Sequence, residues 1–146
     1  MTLMKEIVPF SIAKDQPGLD SLTAQVEQVL EERALAPKVV FAVQLVIDEL
    51  VSNIIKYGTA GNNDSGIAVR LVFDHEAIAV EIEHEGERFN PFERADPVLD
   101  QPIEDREIGG LGIHLTRKVM DDCEFSYRDG RNVLVLRKKL ELDGER

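Results

Sequence analysis

The chain has 146 residues, 43% of them apolar, enough for one globular domain with a sizeable core and too apolar for a disordered chain. Its 28 acidic and 17 basic residues give a formal charge of -11, which repels a phosphate backbone on average and argues against direct nucleic-acid binding. The single cysteine, Cys123, excludes an intramolecular disulfide and a cysteine zinc cluster. No run approaches the roughly 20 apolar residues of a membrane span, and Met1 to Lys5 opens no signal-peptide core, so a soluble, cytoplasmic protein with no membrane partner is expected.

Ile7 to Ile12 is short, partly β-branched and followed by the turn-prone Asp15-Gln-Pro-Gly18, which predicts an edge strand that tolerates Pro9. From Leu19 to Leu35 the residues Leu22, Val26, Val29 and Leu30 keep a helical period, with Asp20 or Ser21 as the cap. Ala36-Pro37 interrupts that helix, Pro37 suits the first turn of the next, and Gly58 ends it. On this second helix Val43, Ile47, Leu50 and Ile54 form one apolar stripe. Glu49 and Asn53 sit one turn apart on its flank, while Asp48 points about 100° away. A carboxylate and a carboxamide stacked beside a buried face can jointly hold a water, a metal ion or a hydroxyl.

Thr59 to Gly66 is a polar connection. Ile67, Val69, Leu71 and Phe73, then Ile78, Val80 and Ile82 beyond the His75-Glu76 turn, alternate with other residues and predict an antiparallel hairpin with one buried face. His84 has the parity of the buried side, Glu83 and Glu85 that of the other. Gly86 breaks the pattern, and from Asn90 to Ile108, through Pro91, Pro97 and Pro102, no period is present; such a length is usually a binding loop or lid. Ile108-Gly-Gly-Leu-Gly-Ile-His-Leu-Thr116 is a glycine-rich entry into a third helix whose expected buried row is Leu111, Leu115 and Val119. Strands at Glu124 to Arg128 and Asn132 to Lys138 flank the hairpin signal Asp129-Gly130. His114 reads as structural or exposed, and Cys123, among Asp121, Asp122 and Glu124, as a thiol with a raised pKa and no nucleophilic role.

The order strand, helix, helix, hairpin, long loop, helix, hairpin, with Glu-x-x-x-Asn on the second helix and Gly-x-Gly opening the third, resembles the Bergerat ATP-binding fold of gyrase, Hsp90, histidine kinases and MutL. Within that superfamily the chain is most similar to the stand-alone bacterial anti-sigma factor and serine/threonine-protein kinase branch. The resemblance is carried by Ile47-Asp-Glu-Leu-Val-Ser-Asn53, Phe89-Asn-Pro-Phe92, Gly109-Gly-Leu-Gly-Ile-His-Leu115 and Asp129-Gly-Arg-Asn-Val-Leu-Val-Leu-Arg137. It implies an α+β, two-layer sandwich: a mixed, mostly antiparallel sheet covered on one face by three helices, one domain over residues 1–146, with an ATP lid at about residues 90–108.

The resemblance also implies roles. Asn53 would bind Mg²⁺ through its side-chain oxygen, and Glu49 would orient or deprotonate a serine or threonine hydroxyl of a partner protein. Gly110 and Gly112, with Leu111 between them, would let the backbone approach the ATP phosphates at a helix N-terminus, and Gly86 would pass close to the adenine. Arg106, Arg117 and Lys118 are near enough in sequence to touch phosphate, and the choice among them stays open. His84 stands where the family has an aspartate that accepts a hydrogen bond from the adenine amino group. A neutral imidazole has one acceptor nitrogen and an imidazolium none, and a lost buried bond of this kind is worth on the order of 1–3 kcal/mol. His84 is also readable as a strand-end histidine satisfied by a main-chain carbonyl.

The implied function is an anti-sigma factor with ATP-dependent serine/threonine kinase activity toward a STAS-type anti-sigma-factor antagonist, with a sigma factor as a further partner and homodimerisation as in the family. The alternative is a partner-binding regulatory module with weak or lost nucleotide binding, His84 being the trace of that loss. A detached histidine-kinase catalytic domain is a third reading, disfavoured by the short lid, the N-terminal strand and the lack of dimerisation helices.

Overall fold

A computed structural model describes residues 5–58, 65–93 and 108–140; the polar connection at 59–64, most of the expected lid (94–107) and the tail lie outside these. The elements are β1 (Glu6–Ile12), α1 (Gln16–Glu31), α2 (Pro37–Tyr57), β2 (Ile67–Phe73), β3 (Ala77–Glu85), a 3₁₀ turn (Pro91–Glu93), α3 (Ile108–Val119), β4 (Asp122–Arg128) and β5 (Arg131–Lys139). Three helices cover one face of a five-stranded sheet of order β1-β2-β3-β5-β4. Every neighbouring pair is antiparallel, which corrects the expected mixed sheet. β3 and β4 run the same way, but β5 returns from its hairpin to lie between them, so no parallel pair forms.

β1 lies at the sheet edge, where Pro9 withholds no N–H from an inner ladder. α1 starts a turn earlier than the apolar period indicates. Asp15 is extended (φ -153°), its carboxylate accepts the Gly18 N–H at 2.8 Å, and Pro17 occupies the first turn. Asp20 and Ser21, the expected caps, are therefore inside the helix.

The α2 stripe of Val43, Ile47, Leu50 and Ile54 is buried as expected, together with Ala42, Val46 and Val51. An apolar surface this broad suits a helix flanked by two others above a sheet, as α2 is by α1 and α3. From the sheet, alternate residues Ile67, Val69, Leu71, Ile78, Val80, Ile82, Leu134 and Leu136 complete the core. The opposite parity carries ion pairs across three strands: Arg70 to Glu81 (2.8 Å) and Glu83 (3.3 Å), and Arg131 to Glu83 and Glu85. Asp129 (φ 55°) and Gly130 (φ 76°) both take the left-handed conformation that a two-residue hairpin turn of the primed type requires.

α3 departs from the expected buried row. Gly112, Ile113 and Thr116 are buried, Leu115 is 43% exposed, Val119 is half-buried, and the Leu111 side chain lies outside the described residues. The helix has turned so that its residues without bulk meet α2, at the cost of an apolar row equally regular in sequence. Among the described residues no helix is long and apolar enough to cross a membrane.

Candidate functional site

The site is built where α2 passes α3. Gly112 has no side chain, and a Cβ placed there would overlap the Glu49 carboxyl group, so the acid of the middle helix lies directly against the glycine-rich turn of the later one. Glu49 is half-buried, and its pKa is raised by that burial and by neighbouring Asp48, with Lys56 acting the other way. Asp48 itself faces solvent. One turn on, Asn53 is only 3% exposed; its Nδ2 donates to the Glu49 carbonyl at 2.6 Å, and its Oδ1 has no hydrogen-bond partner among the described residues.

A buried acceptor without a donor costs on the order of 1–3 kcal/mol, and such a group calls for an explanation. A hard cation supplies one. Among the described residues no three histidine, cysteine, aspartate or glutamate side chains are grouped to hold a metal ion. Gly110 and Leu111 lie in the first turn of α3, and the Leu111 side chain and its surroundings lie outside the described residues.

At the end of β3, His84 is 1% exposed on the core side, between Ile67 of β2 and Asn132 of β5. Neither ring nitrogen makes a hydrogen bond of good geometry among the described residues, and against the larger effects of burial and Lys14 the Glu85 main chain beside the ring acts on it only weakly, raising its pKa. Burial first, and the Lys14 ammonium second, push its pKa from 6.5 down to about 4, so the ring is neutral at physiological pH. As pH falls the unfolded chain takes up this proton first. The contribution of neutral His84 is therefore intact above pH 6.5 and lost between there and about 4; its size is on the order of 2–3 kcal/mol. His84→Leu is expected to abolish this component: urea midpoints followed from pH 7 to pH 4 fall less steeply for the variant than for the native chain.

Gly86 adopts φ 138°, donates its N–H to the Gly130 carbonyl at 3.0 Å and accepts the Tyr127 hydroxyl at 2.9 Å. Asn132, to which no role was assigned from sequence, holds the next residues. Its Oδ1 accepts the Phe89 N–H at 2.7 Å and its Nδ2 donates to the Glu87 carbonyl at 3.0 Å. Nothing local marks Asn132, which sits in a strand of ordinary alternation; its only signal is its place two residues beyond the Asp129-Gly130 turn.

The buried side-chain atoms lacking a partner among the described residues are Asn53 Oδ1, His84 Nδ1 and Nε2, and Thr116 Oγ1. They come from α2, β3 and α3, while Asn132 on β5, the remaining buried polar side chain among the described residues, is paired at both ends of its amide. Of the basic residues near the glycines, Arg117 donates to the Phe92 carbonyl and lies over the Phe92 ring at 5.4 Å, Lys118 is exposed, and Arg106 falls outside the described residues. A cavity of about 460 Å³ beside Phe92, Arg117, Met120 and Cys123 is lined by none of Glu49, Asn53 and His84. The Cys123 thiol is raised in pKa by burial and by Asp122, as expected.

Residues 13–138 match the profile of the histidine kinase-like ATPase domain. Over 96 residues, 66% of this chain, the sequence is 27% identical to serine/threonine-protein kinase BtrW of Bordetella bronchiseptica, covering 68% of that protein. It is 25% identical over 96 residues to serine-protein kinase RsbW of Listeria monocytogenes, covering 63% of this chain and 61% of that protein, so less than two thirds of RsbW is spanned. Among solved structures, the RsbU and RsbW domains of a Mycobacterium tuberculosis protein align with a TM-score of 0.66 at 12% identity, over 92% of this chain and 32% of that one. A chain of the SiaB-SiaC complex from Pseudomonas aeruginosa aligns with a TM-score of 0.56 at 14% identity, over 90% and 89%. Those two likenesses are of fold. The family profile covers most of the sequence, and the chain belongs to the histidine kinase-like ATPase domain family.

Proposed function

We propose that this chain is a cytoplasmic, single-domain anti-sigma regulatory factor that transfers phosphate from Mg-ATP to a serine or threonine of a small STAS-type anti-sigma-factor antagonist, with a sigma factor as its other partner and a homodimer as its working form. The observation that carries the reading is the pairing of the Glu49 carboxyl with the side-chain-free Gly112, one turn from the unpartnered Oδ1 of buried Asn53. The relatives named as serine kinases support it. When bound, Mg-ATP supplies the phosphoryl group and much of the charge neutralisation that its transfer needs. Asn53 Oδ1 would hold the metal, and the main-chain amides opening α3, among them that of Gly110, would face the phosphate oxygens. Glu49 would accept a hydrogen bond from the incoming hydroxyl and take its proton, a task that the raised carboxyl pKa favours. Gly86 and His84 would border the base.

The binding-module alternative has its own support in His84, whose ring offers the adenine amino group less than a carboxylate would. Titration calorimetry with Mg-ATP separates the two, since heat at sub-millimolar nucleotide is expected for the kinase and none for the module. Pull-down with and without Mg-ATP, followed by mass spectrometry, is expected to yield a partner carrying acid-stable phosphoserine or phosphothreonine. A partner retained unmodified under both conditions would favour the module, and acid-labile phosphohistidine would favour the third reading.

A further inference from the structure

We propose that the cleft between α1 and α2, with the outward face of α2 that runs from it to Glu49, is the docking surface for the phosphoacceptor protein, and that it takes a basic amphipathic helix of that partner. The inference rests on the kinase reading above for the identity of the partner and adds where, and by what chemistry, that partner is held.

The cleft is a cavity of about 310 Å³. Leu30, Ala34, Leu35 and Val40 give it an apolar lining, while Glu27 and Glu31, exposed and one turn apart on α1, stand along one side. Arg33, two positions on from Glu31, does not neutralise them, because its guanidinium is committed to Glu6 of β1 and to the Val29 carbonyl. Ala34 has φ 50°, in the left-handed region where a β-carbon is strained and glycine is not. A methyl group is thus kept at a conformational cost and lines the cleft. Backbone strain of this kind collects at ligand-holding surfaces.

From the cleft the surface continues along α2. Val40 and Gln44 line the cavity, and Phe41, about 100° round the helix from Val40, is 57% exposed on a helix that buries most of its apolar residues. Leu45 follows one turn later, half-buried, and Asp48 and Glu49 come in the turn after that. Phe41 and Glu49 are separated by a rise of about 12 Å along the helix axis, so a partner anchored on the aromatic ring can bring a nearby hydroxyl to the carboxyl. Exposed aromatics are the residues that interface cores favour. Charge selects the partner: Glu27, Glu31 and Asp48 outweigh Lys38 here, and the chain as a whole carries -11. An apolar lining with acids beside it complements the two faces of a basic amphipathic helix. A second copy of this chain, equally acidic, is repelled.

The probe is a synthetic amphipathic helix of leucine and lysine, titrated calorimetrically into the full chain beside a counterpart of leucine and glutamate. The basic peptide is expected to bind at least about tenfold more tightly than the acidic one, and Phe41→Ala, which changes no charge, to weaken it at least about tenfold. Glu27→Lys combined with Glu31→Lys should weaken it as well, by a factor that shrinks in high salt. Ala34→Gly is expected to melt at a higher temperature than the native chain yet bind the peptide several-fold less tightly, a divergence that a merely structural methyl would not give. With the phosphorylated partner from the pull-down as substrate, Phe41→Ala should raise its KM at least about tenfold and leave kcat in place. Peptide affinity or partner KM unmoved by Phe41→Ala overturns the inference while the kinase reading stands. A native dimer that Phe41→Ala dissolves in sedimentation, with KM unchanged, assigns the face to self-association and overturns it too. Absence of any phosphorylated partner removes the kinase reading alone, and the peptide titration then still decides whether the cleft docks a basic helix.

Discussion

Glu49→Gln is expected to slow phosphoryl transfer to the partner hydroxyl by about 10²–10⁴-fold, the range for loss of a positioned general base. Nucleotide affinity should hardly change. Glutamine has the shape of glutamate, so the seat against Gly112 is kept and the neighbouring Asn53 bond to the Glu49 carbonyl is untouched. What is lost is the ability to take a proton. Stability should move the other way. Burial and Asp48 raise the Glu49 pKa, so the folded chain holds that proton more tightly than the unfolded one, and folding is penalised as pH rises through the interval between the two values. Glutamine carries no such penalty, and its variant should melt at a higher temperature at neutral pH. Kinase assays beside thermal melts read both effects; a variant that turns over at the native rate would remove Glu49 from the chemistry. The acid limb of the native pH–rate profile should be displaced upward from that of an unperturbed glutamate, because the group that must be ionised is the one whose pKa is raised.

The second large effect is at Gly112. In an exposed helix Gly→Ala gains about 1 kcal/mol from propensity alone. Here the added methyl would overlap the Glu49 carboxyl, and relief requires either moving α3 off α2 or driving the carboxyl out of its seat. Because the overlapping atoms are the far end of a flexible side chain, Gly112→Ala is expected to swing the carboxyl out of its seat and relieve the burial that raises its pKa, with a stability loss no larger than about 1–3 kcal/mol, the range of overpacking. A double variant with Glu49→Ala tells overlap from a generic helix effect: if overlap is the cause, removing the carboxyl rescues most of the loss, and the two substitutions are strongly non-additive. Denaturant melts of the four proteins settle the sign, and additive losses would refute the contact.

These expectations rest on features of uneven visibility in sequence. Strand alternation placed the two hairpins, and the spacing of Val43, Ile47, Leu50 and Ile54 identified the buried face of α2 and put Glu49 and Asn53 on its edge. The parity of His84 likewise foretold its burial. Periodicity fails where two faces are equally plausible. On α3, Leu111, Leu115 and Val119 form a better apolar row than Ile113, Thr116 and Met120, yet the second is inside, because contact with Glu49 demands a glycine at position 112. The α1 cap was missed for a local reason: Asp15-Gln-Pro-Gly18 was read as a turn, while Asp15 followed by Pro17 starts a helix equally well. Asn132 could not be found at all, since its partners Glu87 and Phe89 are distant in sequence and both are main-chain groups that leave no mark in the side-chain pattern.

The ion pairs on the open side of the sheet bear on how the molecule assembles. β3 presents Glu81, Glu83 and Glu85 in succession on one side, and three like charges at that spacing repel. Arg70 arrives with the adjacent strand of the early hairpin, but Arg131 comes from a segment 48 residues beyond Glu83. Until the last hairpin docks, Arg70 alone faces three acids of the central strand, and an N-terminal fragment ending after β3 would carry self-repulsion that added salt relieves. Arg131 thus ties the central strand to the last hairpin by charge as well as by the β3–β5 ladder, so the middle of the sheet and its C-terminal edge should form or melt together.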